Sequence, residues 1–323
     1  MTGPKRSTEA QATLPQLSRG VRRITLDTAG ITLSALLGEP EHIPPRAVVV
    51  ALHGGGVNAG YFDGQAHPTL SLLTLGARLG YTVLAVDRPG YQHSAQQLLE
   101  GQRLTEQAVT LNAVLRGFAS RHAVGAGFFV VAHSFGGKVA LCAAAEPAGP
   151  TLLGLDISGC GHEYAVPQDE LPTAREHGHW TRNWGPLRLY PPNTFRTSAS
   201  LVEPMPALER ADAARWPLLF RDVAPRVRVP VRLTFAEHEA WWRQDEEALT
   251  DLSARFRSAP EVIVARQPGA GHNISLGWAA RAYHLRALAF LEDRLTVREG
   301  APVPGPPRPA DSPADPARPR DQV

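Results

Sequence analysis

Short apolar runs alternate with amphipathic stretches along most of the chain. Six runs of five or six residues are apolar enough to be strands buried on both faces: residues 47–52, 82–86, 128–132, 152–157, 231–235 and 261–265. Helical periodicity separates most of these runs, over residues 70–79, 105–120, 137–145 and 278–295. Strands that alternate with helices are joined by right-handed crossovers, so the pattern predicts a mostly parallel sheet with helices on both faces.

Two segments ahead of the first buried run have the character of antiparallel strands. Residues 21–26 and 31–37 flank the turn sequence Asp27-Thr28-Ala29-Gly30, and together they predict a hairpin. With these two strands the predicted sheet has eight strands, and the fold class is α/β.

One long interval interrupts the alternation of strands and helices. Residues 160–227 lie between two predicted strands and are rich in proline and aromatic side chains. They are too numerous for a plain loop in a compact domain. We expect this cap segment to form short helices over the carboxyl edge of the sheet, as an insertion between core residues 19–159 and 228–297.

Both ends of the chain have a composition that does not support a packed core. Residues 1–18 are polar and aperiodic, and residues 298–323 are rich in proline, alanine and charge. Neither segment can bury enough apolar surface to offset the entropy that ordering would cost. We therefore expect a disordered arm and a disordered tail.

Charge and cysteine content narrow the choice of compartment and partner. The formal net charge is only +2, so nothing indicates nucleic acid or a membrane surface as a partner. Two cysteines cannot form a disulfide framework, and the N-terminus lacks the apolar core of a signal peptide. No apolar run reaches the roughly 18 residues of a membrane span. We expect a soluble, cytoplasmic protein that acts on a small molecule.

The strongest chemical signal is residues 128–137, FFVVAHSFGG, where a buried strand leads into a helix through a sharp turn at Ser134. Such a turn strains its central residue and needs small neighbours two positions away, which Ala132 and Gly136 supply. The turn exposes the hydroxyl above the sheet, at a helix N-terminus that favours developing negative charge. Ser134 is therefore the candidate nucleophile, with alanine at the first position of a G-x-S-x-G pattern.

A glycine-rich loop, residues 52–58 (LHGGGVN), directly follows an early strand. A tetrahedral oxyanion needs two backbone N–H donors, and glycines let the main chain come close to it. We assign one donor to Phe135, next to the candidate nucleophile, and the other to Gly55 or Gly56. His53 is expected to hold the loop in place and to have no chemical role.

The order of these motifs resembles that of the α/β-hydrolase superfamily, over about residues 21–296. Between the HGGG and AHSFGG motifs lie residues 87–94 (DRPGYQHS), which are similar to D-x-P-G-x-G-x-S with Gln92 in place of a glycine. In that family this segment is a structural turn, so Asp87 is not expected to be a catalyst. The resemblance implies the α/β-hydrolase fold with a cap insertion, in the branch that resembles serine esterases and thioesterases.

The family also implies a catalytic histidine between the last strand and the last helix. Residues 267–273 (QPGAGHN) stand there, which assigns the role to His272. A base must reach the serine from a different loop, and neighbouring glycines give the imidazole room.

The sequence leaves two main candidates for the triad acid. The family places the acid after the penultimate strand, in a pattern like P-V-x-x-x-x-G-x-x-D, and residues 230–239 (PVRLTFAEHE) put Glu239 at that position. Glu237 is the competing carboxylate. In some relatives the acid follows the preceding strand, but Asp156 lies within that strand here, which makes it a poor alternative.

Several other residues receive a structural interpretation. Lys138, four residues after the candidate nucleophile, is expected on the surface of its helix, with contact to the substrate as the less favoured alternative. His162, His177 and His179 do not form a convincing metal-ligand set, so we expect neither a metal nor another cofactor.

The candidate residues together support acyl chemistry. Ser134, deprotonated by His272, would attack an acyl carbon, and hydrolysis of an ester or thioester of a medium-sized apolar substrate is our first hypothesis. Similar folds also catalyse non-hydrolytic steps in natural-product biosynthesis, such as elimination or acyl transfer, and some act as ligand receptors with slow turnover. Both alternatives stay open. Trp180, Trp184 and Tyr190 of the cap segment are expected to contact the substrate.

Overall fold

The computed structural model describes residues 16–171 and 180–299 and contains one eight-stranded sheet. The strands are β1 Val21–Thr28, β2 Ile31–Gly38, β3 Val48–Leu52, β4 Thr82–Val86, β5 Phe128–His133, β6 Leu152–Ser158, β7 Val231–His238 and β8 Val262–Gly271. Their order is β1-β2-β4-β3-β5-β6-β7-β8. Strands β3 to β8 are parallel, whereas β1 and β2 form an antiparallel hairpin that pairs with β4.

Helices cover both faces of this sheet. One face carries α1 (Leu72–Arg78) and α8 (Ala280–Glu299), and the other carries α2 (Leu104–Ala119), α3 (Phe135–Ala145) and α7 (Glu246–Ala254). Alternate residues of β3 belong to two separate apolar cores, which explains why that strand is apolar at every position. The predicted fold class, a mostly parallel eight-stranded sheet with helices on both faces, is confirmed.

The last two strands extend beyond the ends that the sequence predicts. Strand β7 continues to His238, and residues 267–271, interpreted above as a loop, form the end of β8. Strand β8 is at the edge of the sheet, where Pro268 needs no N–H for the ladder and glycines are tolerated. The pairing of β7 with β8 shifts between Ala236 and His238, immediately before Glu239.

The cap segment joins β6 to β7 and contains three α-helices in its described part: α4 Trp180–Trp184, α5 Thr194–Thr197 and α6 Ala207–Val223. Trp216 and Phe220 of α6 belong to the apolar core on the α3 side of the sheet. The cap segment also pairs with the glycine loop through a bridge between Val57 and Val202. The cap segment is therefore packed against the carboxyl edge of the sheet, where the candidate nucleophile Ser134 lies.

The described chain begins within the arm predicted over residues 1–18. Leu17 packs against the core of the α1/α8 face, and the Ser18 N–H donates to the Asp63 carboxylate at 2.9 Å. At the other end, α8 continues to Glu299, one residue past the predicted start of the tail. Residues 1–15 and 300–323 lie outside the described residues. None of the helices within the described ranges has the length and apolarity needed to cross a membrane.

Candidate active site

Ser134 occupies the sharp turn between β5 and α3. Its φ of 51° and ψ of −116° lie outside the regions that residues with a side chain favour. The turn is held by two backbone hydrogen bonds: the Ser134 N–H donates to the Ser158 carbonyl (2.8 Å), and its own carbonyl accepts from Gly137 (3.0 Å). A Cβ at Gly136 would lie only 2.4 Å from the Leu52 carbonyl oxygen, so this position requires glycine.

His272 and Glu239 form a hydrogen-bonded chain with Ser134. His272 Nε2 lies 3.2 Å from Ser134 Oγ, and its Nδ1 lies 2.8 Å and 3.1 Å from the two carboxylate oxygens of Glu239. The Glu239 side chain is fully buried, and its Oε1 accepts the backbone N–H groups of Ala240 (3.1 Å) and Trp241 (3.0 Å). These bonds fix the carboxylate in a position to orient the imidazole.

The carboxylates of the two alternative candidates for the triad acid, Glu237 and Asp156, bond to groups other than His272. Glu237 is exposed and accepts the Gly269 N–H at 2.7 Å, so it holds the end of β8. Asp156 is buried within β6, where burial raises the pKa of its carboxyl, and its Oδ2 pairs with Arg232 Nη1 of β7 at 2.5 Å. Among the described contacts, neither carboxylate hydrogen-bonds His272.

Gly159, which follows β6 directly, leaves space for the imidazole. A Cβ at this position would lie 2.8 Å from His272 Cε1, and its φ of 60° favours glycine. The Gly159 carbonyl accepts the indole N–H of Trp242 at 2.8 Å. The sequence shows a glycine at the end of a strand, but the requirement for it is visible only in the folded chain.

The structure separates the two predicted alternatives for the second oxyanion donor. The Gly56 N–H donates to the Tyr91 hydroxyl at 3.0 Å, so it is already occupied. The Gly55 N–H has no hydrogen-bond partner among the described residues, and neither does that of Phe135 at the first position of α3. Both residues line the same cavity as Ser134. Gly55 and Phe135 are therefore the candidate donors, and the geometry does not support Gly56.

The peptide bond between Gly54 and Gly55 is held in place by hydrogen bonds to its carbonyl oxygen. The Gly54 carbonyl oxygen accepts from Arg88 Nη2 at 3.0 Å and lies 2.8 Å from His53 Nδ1. His53 Nε2 accepts the Arg88 backbone N–H at 3.0 Å, which places the imidazole proton on Nδ1. Because the C=O and N–H of a trans peptide point in opposite directions, both contacts direct the Gly55 N–H away from Arg88.

Arg88 is neutralised by Glu209 from helix α6 of the cap segment. The side chains of this ion pair are 1% and 0% exposed. The Glu209 carboxylate also accepts from the Tyr91 hydroxyl (2.8 Å) and from Gln107 Nε2 (3.0 Å). The cap segment thus supplies the charge that anchors the arginine under the glycine loop.

Glu209→Gln should lower the free energy of unfolding by about 3–5 kcal/mol, because it leaves the Arg88 guanidinium buried without its counter-ion. Urea denaturation followed by circular dichroism measures this loss. The matched control is Glu39→Gln, whose ion pair with Arg22 has side chains 40% and 54% exposed. Glu39→Gln should lower the free energy of unfolding by less than about 1 kcal/mol. Equal, small losses for both variants would contradict the anchoring role of Glu209.

The segment that resembles D-x-P-G-x-G-x-S forms a structural turn. Asp87 accepts from the Ala59 N–H and from the Ser34 hydroxyl, both at 2.7 Å, and burial raises its pKa to about 6. Gln92 has a φ of 45°, a left-handed conformation that glycine adopts most easily. Its N–H donates to the Glu203 carboxylate at 3.1 Å, which helps to hold this conformation.

Ser134 opens into a cavity of about 380 Å³ that is lined by both the sheet edge and the cap segment. Of the three cap residues expected to contact the substrate, Trp184 lines this cavity. Tyr190 does not line it and instead packs behind Trp184, with ring centroids 5.1 Å apart. The side chain of Trp180 lies outside the described residues. Trp241 and Trp242, for which the sequence gives no functional signal, also form part of the wall.

Lys138 lies in the cavity wall, and the prediction that it lies on the helix surface is wrong. It is 3% exposed, because the cap segment covers the side of α3 that would otherwise face solvent. Sequence periodicity alone could not show this, since the covering helix α6 is about 70 residues away along the chain.

One group of described residues has the geometry of a metal site: His162, Glu163 and Asp251. The two carboxylates already form ion pairs, Glu163 with Arg243 (2.8 Å) and Asp251 with Arg255 (2.9 Å). The negative charge that would attract a cation is therefore neutralised. The other histidines considered above lie outside the described residues: His177 and His179.

Known proteins share the fold of this chain. The model of the alpha/beta hydrolase family matches residues 49–282. A search of curated proteins gave no significant match. Similar solved structures include a soluble variant of monoglyceride lipase from Saccharomyces cerevisiae, in complex with a substrate analogue, and proline iminopeptidase from Mycobacterium smegmatis. Another is the thioesterase domain from the curacin biosynthetic pathway.

These three structures share the fold at low sequence identity. The monoglyceride lipase is 14% identical, with a TM-score of 0.63, and the alignment covers 88% of this chain and 97% of that one. The iminopeptidase is 18% identical, with a TM-score of 0.60, and the alignment covers 86% of this chain and 100% of that one. The thioesterase domain is 16% identical, with a TM-score of 0.55, and the alignment covers 83% of this chain and 99% of that one. At such identities the likeness shows the fold alone.

Proposed function

This chain belongs to the alpha/beta hydrolase family, and on that premise we propose that it is a serine hydrolase that cleaves a carboxylic ester or thioester. The observation that carries the proposal is the hydrogen-bonded chain from Ser134 through His272 to Glu239, at the edge of a cavity. A serine in a strained turn, a histidine within reach of its hydroxyl and a buried carboxylate behind the histidine are the parts of an acyl-transfer site.

The first step forms an acyl-enzyme. His272 Nε2 takes the proton of Ser134 Oγ as the oxygen attacks the acyl carbon, and the N–H groups of Gly55 and Phe135 donate to the resulting oxyanion. Glu239 stabilises the imidazolium through Nδ1. When the tetrahedral intermediate collapses, the bond to the alcohol or thiol breaks and His272 gives its proton to the leaving group.

The second step releases the acid. Water loses a proton to His272 Nε2 and attacks the ester carbonyl on Ser134, and the same two N–H groups hold the oxyanion again. Collapse returns the proton to Ser134 Oγ and frees the carboxylic acid. A cavity of about 380 Å³ with several aromatic side chains suits a medium-sized, largely apolar substrate.

Product analysis tests hydrolysis against the alternatives. With 4-nitrophenyl hexanoate and a hexanoyl thioester as substrates, we expect catalytic release of free hexanoic acid, measured by mass spectrometry. Transfer of the acyl group to another acceptor in preference to water would contradict hydrolysis. Stoichiometric binding without turnover would favour a receptor role.

Trp184→Ala should change substrate preference, because it removes an aromatic side chain from the cavity wall. The ratio of kcat/KM for the hexanoate over that for the acetate should fall about tenfold or more, as lost apolar contact affects only the longer acyl chain. The matched control is Trp278→Ala, whose side chain is 49% exposed and packs on His67 outside the cavity. An unchanged ratio for Trp184→Ala would contradict its contact with substrate.

A further inference from the structure

Lys138 is a buried cation in the same cavity as the candidate nucleophile. It is 3% exposed, and it lines the cavity together with Ser134, which precedes α3 directly. The proposed acyl-transfer steps make no use of it. A lysine that is almost fully buried needs a compensating interaction, since an ammonium loses several kcal/mol of solvation when it leaves water.

Four aromatic rings surround the Lys138 ammonium. Their centroids lie 5.1–5.6 Å from Nζ: Phe135, Tyr164, Trp216 and Trp242. Each ring attracts the ammonium through a cation–π interaction. The rings come from α3, from the cap segment and from the loop after β7, so the cage forms only when the cap segment is in place.

One hydrogen bond orients the ammonium within this cage. Lys138 Nζ donates to the Tyr164 hydroxyl oxygen at 2.8 Å, and that hydroxyl donates to the Ala213 carbonyl at 2.8 Å. The Ala213 carbonyl is available because Pro217, four residues later in α6, has no N–H to donate back to it. The Tyr164 oxygen is thereby fixed as an acceptor for the lysine.

No carboxylate neutralises Lys138 within the described part of the chain. The two buried acidic residues on the facing helix α6 are already paired, Glu209 with Arg88 and Asp212 with Arg103. An ammonium has three N–H donors, and the single bond to Tyr164 leaves two of them for the cavity. Burial lowers the pKa of Lys138 to about 8, so it is still largely charged at neutral pH.

We propose that Lys138 binds an anionic group of the substrate, so that the preferred ester carries a carboxylate on the part that enters the cavity. A single ammonium among aromatic rings matches one negative charge, and the pairing would replace solvation that both charges lose on burial. This inference rests on the proposed function and adds a substrate class to it.

The test compares two esters of equal chain length, 4-nitrophenyl hexanoate and the 4-nitrophenyl half-ester of adipic acid. The wild type should prefer the half-ester, and Lys138→Met should lower kcat/KM for the half-ester about 100-fold more than for the hexanoate. The control Arg257→Met removes an exposed positive charge and should leave the ratio of the two values unchanged.

The outcomes separate this inference from the proposed function. If the wild type hydrolyses neither ester, the proposed function fails. If the wild type hydrolyses both esters and Lys138→Met lowers kcat/KM for the two esters equally, the proposed hydrolase function is supported and the role of Lys138 in binding an anion is overturned. Circular dichroism shows whether Lys138→Met is folded. If it is not, the pH dependence of the wild-type preference for the half-ester tests the inference instead.

For the wild type, the preference for the half-ester should fall as the pH rises through about 8, because Lys138 then loses its charge. A pH effect on the acyl-transfer steps themselves is common to both esters and cancels in the ratio. The other titratable or charged groups around Nζ are Cys160, whose pKa burial raises to about 12, Tyr164, whose pKa burial also raises, Arg88, Glu209 and Asp212. A ratio that stays constant between about pH 6.5 and 9.5 would overturn the inference.

Discussion

Ser134→Ala is expected to lower kcat about 10⁶-fold while the protein stays folded, because the covalent step loses its nucleophile. Alanine keeps the Cβ in the strained turn and removes only the hydroxyl that lies 3.2 Å from His272 Nε2. The Gly55 and Phe135 N–H groups remain, so a small residual rate over the uncatalysed reaction should persist. Steady-state hydrolysis of the hexanoate, with circular dichroism as a check on folding, measures the effect.

The matched control for this variant is Ser253→Ala. Ser253 is on α7, its hydroxyl donates to the Leu249 carbonyl within that helix, and it does not line the cavity. It should keep kcat within about twofold of the wild type, as is usual for a residue remote from the chemistry. More than about 1% of wild-type activity in Ser134→Ala would contradict the nucleophile assignment.

Glu239→Gln should lower kcat by about 10³–10⁴ without unfolding the protein, as removal of a triad acid's charge does. The backbone N–H groups of Ala240 and Trp241 both donate to Oε1, so the amide oxygen must take that place. The amide NH₂ then occupies the Oε2 position, 2.8 Å from His272 Nδ1. A donor there forces Nδ1 to accept, and the proton moves to Nε2, which can no longer accept the proton of Ser134.

The same substitution at Glu237 is the matched control. Glu237 is exposed and bonds only the Gly269 N–H among the described contacts, so Glu237→Gln should cost less than about tenfold in kcat. A crippling effect of Glu237→Gln with a mild effect of Glu239→Gln would reverse the assignment. Comparable large losses from both would mean that the carboxylates share the role.

Strands buried on both faces were the elements that the sequence predicted best. Strand β4 has the predicted bounds, 82–86, because both of its faces are covered and every position is apolar or nearly so. Strand β8 was predicted too short, because an edge strand can contain proline and glycine and then has the composition of a loop. Family motifs pointed to Ser134 and His272 as candidates, and the fold brings the two side chains within 3.2 Å of each other.

The residues that the sequence could not place depend on contacts between distant parts of the chain. Gly55 and Gly56 are equivalent by composition, and only the Tyr91 hydroxyl, 35 residues away, distinguishes them. Lys138 was placed on a surface because α3 alone gives no sign that the cap segment covers it. Trp242 forms part of the cavity wall because its indole N–H bonds the Gly159 carbonyl, a pairing with no signal in the local sequence.

If Ser134 forms the covalent intermediate, a fluorophosphonate probe should label it. Intact-mass spectrometry of the treated wild type should show a single adduct, and peptide mapping should place it on Ser134. Ser134→Ala, treated in the same way, should show no adduct. An adduct that persists in Ser134→Ala, or that maps to another residue of the wild type, would contradict the assignment of Ser134 as the nucleophile.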